Sequence, residues 1–333
     1  MLKLSILDQS PISKGSTARE ALQQTKQLVQ TAEKLGYTRF WVAEHHSTSG
    51  LASTSPEVLI SHLATTTRHI RIGSGGVLLP QYSPYKVAEN FKLLEALFPG
   101  RIDLGVGRSP GGGETIRLAL TDGKKKNLIE FPRQLADLQG FLDGNLPNDH
   151  PYGTIKTAPA IDTRPQTWVL GLSRRGAKHA AKNSTGFTYG HFIDPEYGQE
   201  AAEKYVTYFQ PTERMPYPKI NACIFVVCAD TQKEAEELAI SQDLWLLAVE
   251  KGRSTQVVSV EESKNTPLSL EDEKRIMENR KRAVIGSPDY VKKELHRLGE
   301  LYQTDEIMVI TNIYDFEKRL RSYELLAETF QLH

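Results

Sequence analysis

The sequence predicts an α/β protein, a (β/α)8 TIM barrel with insertions near the carboxyl-terminal rim of its strands. Strand and helix signals alternate along the whole chain, which is the pattern of parallel strands joined by helices. The length of 333 residues fits such a barrel with added loops. An open doubly wound sheet would need a glycine fingerprint after the first strand, and the turn at residues 8–15 lacks one. These three observations favour the closed barrel.

The predicted elements have local signals at their ends. The first helix stops at Gly36, where a residue without Cβ can leave the helix. The second helix begins with Pro56, behind Ser55 as its N-cap. An additional helix is predicted at 289–302. The strand and helix pairs are, in order, 2–7 and 17–35, 40–43 and 56–67, 70–79 and 84–98, 102–106 and 128–142, 167–170 and 173–183, 187–189 and 195–209, 220–228 and 232–250, and 306–310 and 315–330.

Two stretches exceed what a minimal barrel needs. Residues 147–164 are rich in Pro, Asp and Thr and form a link with room for a short hairpin. Residues 251–283 are polar and highly charged, and they are a candidate lid over the catalytic rim. An exposed excursion without such a role is an equal alternative. We expect residues 1–333 to form one domain around the barrel.

Composition argues against several classes of partner. The 41 basic and 41 acidic residues give a formal net charge of zero, so no field draws the chain to nucleic acid or to an anionic membrane. No apolar run is long enough to cross a bilayer and no signal-peptide pattern is visible, which predicts a cytoplasmic protein. Cys223 and Cys228 face opposite sides of one predicted strand. Since no Cys or His cluster has metal spacing, we expect no metal ion.

The segment 40–46, Phe-Trp-Val-Ala-Glu-His-His, carries the strongest functional signal. Its apolar half predicts a strand buried on both faces, and the carboxyl end of such a strand opens onto the ligand crevice of a barrel. His45 is therefore placed for chemistry as an acid, a base or a hydrogen-bond partner. A surface or packing histidine is the ordinary alternative. Glu44 would point the opposite way and orient a ring or end a helix.

Anion-binding signals follow the fourth and fifth strands. The guanidinium of Arg108 suits a phosphate, and Gly107 is small enough to admit a flat ligand over the strand end. Ser173, Arg174 and Arg175 stand at the next strand-to-helix turn, where helix amides, a hydroxyl and two cations form an anion site. A solvated arginine and an ordinary capping serine are the alternatives. Because the two strands are consecutive, both groups could hold one phosphate.

Other strand ends supply weaker candidates. Gly75 and Gly76 belong to a glycine-rich stretch of the third strand, which indicates either a bulge or a backbone pressed against a flat ring system. His191 follows the sixth strand, and Asp8 and Ser10 follow the first. These three would line the barrel mouth as a substrate pocket. A structural histidine and a simple turn are the alternatives.

Four segments in register carry a family resemblance. They are 41–46 (WVAEHH), 72–80 (IGSGGVLLP), 83–97 (SPYKVAENFKLLEAL) and 100–108 (GRIDLGVGR). Together they resemble the bacterial luciferase-like, flavin-dependent monooxygenase family, and the opening LDQSP resembles its alkanal monooxygenase-like branch. Beyond about residue 110 the resemblance is looser and depends on 170–176 and 226–230.

The resemblance implies a barrel enzyme that uses reduced FMN, supplied by a separate flavin reductase, and O2. In that family a C4a-peroxyflavin oxidises an aldehyde-like or similar small organic substrate. His45 matches the histidine that assists this chemistry. Gly75 and Gly76 match a non-prolyl cis peptide under the isoalloxazine ring. The family commonly forms homodimers through helices near the second and third strands, and residues 56–63 are apolar enough to serve.

The resemblance also assigns the phosphate contacts, to Arg108 and Ser173, with Arg174 and Arg175 standing in for a second phosphate arginine. Gly107 and Leu172 differ from the cysteine and the acidic residue that light-emitting members can carry, so oxygenation is expected rather than light. The sequence leaves three alternatives open. They are deazaflavin (F420)-dependent hydride transfer, a non-catalytic flavin-binding protein on the same fold, and a phosphate-sugar isomerase on an unrelated barrel.

Overall fold

The computed structural model describes residues 2–109 and 111–332. The strands are β1 Lys3–Asp8, β2 Arg39–Val42, β3 Arg71–Leu78, β4 Ile102–Gly107, β5 Gln166–Gly171, β6 Gly186–Tyr189, β7 Ile220–Cys228, β8 Ala283–Gly286 and β9 Glu306–Ile310. All but β8 form a closed parallel barrel in the order β1 to β7 and then β9, which pairs back onto β1. The short β8 pairs with the carboxyl-terminal half of β7. The predicted (β/α)8 barrel is confirmed.

The helices cover and connect these strands. They are α1 Ala18–Lys34, α2 Pro56–Ala64, α3 Pro84–Leu97, α4 Glu114–Leu120, α5 Phe131–Asp143, α6 Arg174–Lys182, α7 Gly198–Tyr208, α8 Gln232–Glu250, α9 Val260–Asn265, α10 Leu270–Asn279, α11 Pro288–Leu301 and α12 Phe316–Phe330. Prolines open α2, α3 and α11, as the sequence indicates for α2. The link at 147–164 contains turns and no strand, so the expected hairpin does not form. Across the described ranges, no helix is long and apolar enough to span a bilayer.

The helix that completes the seventh barrel unit is α11, not α8. The former packs against β7, β8, β9 and α12, which is the position of an outer-ring helix. The helix α8 also touches β7, where its Trp245 contacts Phe225 with ring centroids 6.0 Å apart, but it packs mainly on β8, α9 and α10. The insertion therefore begins directly after β7 and includes α8. Sequence periodicity predicted a helix at 232–250 correctly but gave no information on which layer it joins.

Two apolar layers hold the barrel together. The outer layer lies between strands and helices and includes Leu4, Ile6 and Phe40. A second set of side chains fills the barrel and its carboxyl-terminal mouth, and we call it the inner cluster. Its buried members are Leu7, Trp41, Ala43, Leu51, Trp168, Cys223, Phe225, Trp245, Val257, Met308 and Ile310. Because side chains alternate along a strand, membership of a layer tells which way each neighbouring residue points.

A buried ion network closes the amino-terminal end of the barrel, and we call it the barrel floor. Arg39 donates to both oxygens of Glu306, at 2.6 and 3.0 Å, and to Asp103 at 2.7 Å. Arg71 donates to the other oxygen of Asp103 at 2.6 Å. Although burial opposes it, the two guanidinium groups hold the pKa of Asp103 below its usual range. Two cations thus offset two carboxylates in a largely buried network.

The segment 254–257 lies across the loops that follow β1 and β2. Val257 exchanges backbone hydrogen bonds with Ile12 and Lys14, at 3.1 and 2.7 Å. Gly50 donates to Thr255 Oγ1 at 3.0 Å, and a Cβ at Gly50 would collide with the Thr255 carbonyl group. The rest of the insertion is tied to α8 by ion pairs such as Arg275 with Glu250. Movement of 251–283 as a lid stays a prediction.

Candidate active site

Four neighbouring strand ends bring most of the predicted residues to one sector of the barrel mouth. In the sheet β2, β3, β4 and β5 are consecutive neighbours. His45 follows β2, Gly75 and Gly76 lie in β3, and Arg108 follows Gly107 at the end of β4. The turn after β5 carries Ser173, Arg174 and Arg175. In a parallel barrel these ends face the same side, where barrel enzymes place their chemistry.

His45 presents a buried nitrogen without a partner. Its backbone N–H donates to the Ser53 carbonyl at 3.0 Å, which fixes the loop. Its Nδ1 is buried and has no hydrogen-bond partner within the described part of the chain. Burial, and secondarily the neighbouring His46, lowers the pKa of His45 to about 4. The ring is therefore neutral near pH 7 and can accept or donate one hydrogen bond.

Glu44 fixes the loop that carries His45. Its carboxylate accepts the Tyr82 hydroxyl at 2.5 Å and the Leu78 N–H at 2.9 Å, and it lies 2.8 Å from His46 Nε2. Tyr82 follows β3, so the acid joins two strand ends. The sequence predicted that Glu44 would turn away from His45 and could orient a ring. The ring that Glu44 contacts is that of His46. The hydrogen bonds of Glu44 with Leu78 and Tyr82, at and beyond the end of β3, could not be predicted from the sequence.

Contacts within the protein explain why residues 75 and 76 of β3 are glycines. The Gly75–Gly76 peptide bond is cis, as the resemblance implies, and the register with β4 shifts between Ser74 and Val77. A Cβ at Gly75 would lie 2.6 Å from Leu7 Cδ1, and one at Gly76 would lie 2.8 Å from a β4 carbonyl oxygen. Packing and a bulge thus account for both glycines. A ligand is not required to explain them, although both residues remain half-buried at the mouth.

Arg108 and Arg175 form a cationic edge without counter-charges. Both are exposed, and neither has an ion-pair partner among the residues that the structure describes. Burial, then Arg175, then Arg108 lower the pKa of His179, so both guanidinium groups act on one point of α6. Arg174 differs, because it pairs with Glu200 at 3.3 Å. The arrangement is suited to an anion between β4 and β5.

The surroundings of this edge leave room for a ligand. Ser173 is the N-cap of α6 and accepts the Gly176 N–H at 3.2 Å, so the first turn of the nine-residue helix points its amides outward. A Cβ at Gly107 would meet only Ser109 N, at 3.9 Å. Unlike Gly75 and Gly76, Gly107 is therefore not imposed by protein packing.

Asp8 and Ser10 face away from the mouth. Leu7 belongs to the inner cluster, so Asp8 points outward between α1 and α12. There its carboxylate accepts from Arg319 and from the Thr25 hydroxyl, both at 2.6 Å, and Thr25 Oγ1 lies 2.8 Å from Ser10 Oγ. All four residues are buried in a closed structural network. The structure places neither residue beside His45.

His191 also lies in a packing position. Its Nδ1 is 2.6 Å from the Tyr302 hydroxyl, and the two rings meet edge to face. Burial lowers the pKa of His191 to about 4. The next residue, Phe192, instead packs against the inner cluster through Phe225. His191 therefore packs on Tyr302 and lies outside the candidate site. Within residues 2–109 and 111–332, no three His, Cys, Asp or Glu side chains converge on a metal position.

Known proteins resemble the chain over its whole length. A family model described as luciferase-like monooxygenase matches residues 2–304. The chain is 56% identical to the uncharacterized protein YceB of Bacillus subtilis (strain 168), over 99% of this chain and 100% of the relative. It is 38% identical to the N-acetyl-S-alkylcysteine monooxygenase of the same strain, over 98% of each chain. The crystal structure of apo-MsnO8 matches with a TM-score of 0.90 and 36% identity, over 100% of this chain and 99% of that one.

Two more distant structures share the fold. One is the oxygenating constituent of 3,6-diketocamphane monooxygenase from Pseudomonas putida in complex with FMN, with a TM-score of 0.70, 18% identity, and coverage of 99% of this chain and 97% of that one. The other is an F420-dependent secondary alcohol dehydrogenase, with a TM-score of 0.68, 14% identity, and coverage of 100% and 99%. The same barrel thus accommodates two flavin-type cofactors.

Proposed function

The chain belongs to the luciferase-like monooxygenase family, and from that premise we propose that it is an FMN-dependent monooxygenase. It would use reduced flavin and O2 to oxidise a small organic substrate. The observation that carries the proposal is the pairing, on one sector of the mouth, of an unpartnered neutral His45 with the unpaired cations Arg108 and Arg175.

The cationic edge would hold the phosphate. Arg108 and Arg175 supply charge-assisted hydrogen bonds, and Ser173 with the first amides of α6 supplies neutral ones. Arg174, already paired with Glu200, contributes less. Because the edge is exposed, the phosphate would enter from solvent without passing the inner cluster.

The mouth beside that edge would hold the ring system. The open space at Gly107 and the half-buried Gly75–Gly76 backbone form its proposed walls. When bound, reduced FMN supplies the two electrons that activate O2 for transfer of one oxygen atom. The inner cluster next to it is apolar and would keep water from the reacting centre.

His45 would act on protons at this centre. Since the His45 ring is neutral, Nδ1 would form a hydrogen bond with a reacting oxygen. It could take up a proton from that oxygen and return it, and the ring would not have to be deprotonated by solvent beforehand. Glu44 keeps the loop in place through Leu78 and Tyr82. We expect a closed mouth during turnover, with 251–283 as the candidate lid.

We further propose a separate flavin reductase as functional partner, a homodimer and a cytoplasmic location. The apolar side chains that α2 and α3 leave exposed support the dimer: Val58 is 69% exposed, Leu93 54% and Leu97 56%.

Anaerobic titration tests the proposal. Reduced FMN and reduced F420 are added to the purified full chain, and fluorescence gives the affinity for each. A stoichiometric complex with FMN, followed by oxygen consumption that rises with an N-acetyl-S-alkylcysteine or an aldehyde, is the expected result. Preference for F420, or FMN binding without substrate-dependent oxygen incorporation in a panel of thioethers and aldehydes, would contradict it.

A further inference from the structure

Four polar side chains near the mouth are buried and carry at least one atom without a hydrogen-bond partner among the residues that the structure describes. Gln9 is 5% exposed, Gln242 3%, and Ser241 and Asn312 0%. Within the described residues no partner exists for five of their atoms, namely Gln9 Oε1, Ser241 Oγ, Gln242 Oε1, and Asn312 Oδ1 and Nδ2. We call these residues the polar subsite. Buried polar groups are nearly always paired, so several orphans in one place indicate a missing partner.

Strand register places two of the four side by side. Ile6 of β1 pairs with Val309 of β9 in parallel register, and extending that register three residues, past the ends of both strands, brings Gln9 level with Asn312. Leu7 and Ile310 belong to the inner cluster. Since side chains alternate, Gln9 and Asn312 continue the inward face of the two strands.

The other two face them from α8. Leu238 packs in one cluster with Ile313, and Trp245 packs in the inner cluster with Ile310. Ser241 and Gln242 lie between Leu238 and Trp245 at helical spacing, so they share the same face of α8. The two clusters that this face joins also contain Ile310 and Ile313, the residues on either side of 311 and 312 in the chain.

The polar subsite adjoins the loop of His45. The N–H of Ala43 donates to the Asp8 carbonyl at 3.1 Å, so Gln9 continues beside the end of β2. Ala43 belongs to the inner cluster, and His45 is two residues beyond it on the same face. In the barrel, β1 and β9 lie on the far side of β2 from the cationic edge at β4 and β5.

We propose that the polar subsite binds an uncharged primary carboxamide group of the substrate. The Asn312 side chain has an acceptor oxygen and a donor nitrogen side by side, which can pair with the N–H and the carbonyl oxygen of a carboxamide. The oxygens of Gln9, Gln242 and Ser241 can accept the second N–H of that carboxamide. An ionic group would be buried without a counter-charge among these four residues. This inference rests on the proposed function, because it gives the substrate side of the same site.

Matched six-carbon ligands test the inference on the full chain with oxidised FMN. Calorimetry compares hexanamide with hexanoate and hexylamine, and we expect hexanamide to bind about tenfold more tightly, since a buried hydrogen-bonding site rejects ligands that leave it unpaired. Asn312→Leu should abolish that preference and raise Tm, because it removes two unpaired buried groups. Ser241→Ala, a smaller change, should weaken hexanamide binding while retaining the fold.

Asn221→Leu is the matched control. Both of its amide atoms are also buried and unpartnered, but it lies level with Thr188 in the lower barrel. It should leave hexanamide binding unchanged. Equal binding of the three ligands by the unmodified protein would overturn the inference. So would a lower Tm in Asn312→Leu together with no rise in the Tm of the unmodified protein on adding hexanamide, because structural water alone would then fill the subsite. Hexanamide preference without FMN affinity would refute the flavin function and leave the subsite standing.

Discussion

The carboxylate of Glu44 accepts the N–H of Leu78 at 2.9 Å and so joins the loop after β2 to the end of β3. The bond spans two strand ends that carry different parts of the proposed site. His45 is adjacent to the acid in sequence, and the Gly75–Gly76 peptide lies two residues before Leu78. A change at Glu44 would therefore disturb the histidine and the ring wall together.

We expect Glu44→Gln to lower the free energy of unfolding by about 1–3 kcal/mol, because an amide cannot accept from all the donors that the carboxylate serves. Urea unfolding followed by circular dichroism gives the difference. The exposed Glu317→Gln is the control and should change stability by less than about 0.5 kcal/mol. Equal effects at the two positions would show that the Glu44 bonds add no stability.

His45→Ala should reduce turnover by about 10²–10⁴-fold while FMN affinity stays within about twofold, because the ring acts on protons rather than on the phosphate. Since the pKa of His45 is about 4, its protonation should produce no limb in the rate profile between about pH 5 and 8. Stopped-flow kinetics and flavin titration separate the two quantities. Exposed His69→Ala is the control. Parallel loss of affinity and rate would assign His45 to binding instead.

Arg108→Ala should weaken FMN binding about 10- to 100-fold and leave riboflavin binding unchanged, because only FMN has the phosphate. Fluorescence quenching of both flavins measures this. Arg174→Ala removes a neighbouring arginine that is already paired with Glu200 and should have a smaller effect. A similar loss for riboflavin would place Arg108 against the ring.

Arg39→Leu should lower the free energy of unfolding by about 3–5 kcal/mol, since it leaves Glu306 unpaired and Asp103 with one cation in the buried barrel floor. Guanidinium denaturation provides the value, and exposed Arg68→Leu is the control. A loss below about 1 kcal/mol would indicate that water reaches the floor and screens the charges.

His191 should make the protein less stable in acid. Its folded pKa is about 4, below the unfolded value of 6.5, so the unfolded state binds more protons between these limits. The contribution is complete above pH 6.5 and is lost as pH falls toward 4. Between about pH 7 and 5 the loss is about 2 kcal/mol. His191→Gln should reduce the difference between urea unfolding at the two pH values, and an unchanged difference would rule His191 out as its source.

The barrel was predictable because each strand and helix carries its own local signal. The predicted strand at 220–228 and helix at 232–250 coincide with β7 and α8. Periodicity does not tell in which layer a helix packs. The sequence therefore paired α8 with β7 as an outer-ring helix, a position that α11 takes in the structure. The strand β8 was not predicted, although it is no shorter than β2 and β6, which were.

Side-chain direction limited the site prediction. The apolar run of β1 reads as buried on both faces, so nothing local tells that Leu7 points inward and Asp8 outward. His45, Arg108 and Ser173 were predicted as site residues because a whole motif marks them. Gln9 and Asn312 were missed, since a polar residue just past a strand reads as an exposed turn, whereas both side chains are buried.

The pairing of Ile6 with Val309 means that the barrel cannot close until β9 has been synthesised. On the ribosome β1 emerges first, and its second neighbour follows roughly 300 residues later, which at about 5–20 residues per second is an interval of about 15–60 seconds. For that time one edge of β1 offers open backbone groups to any passing strand. Soluble yield should therefore depend on chaperone supply and on the translation speed between β1 and β9.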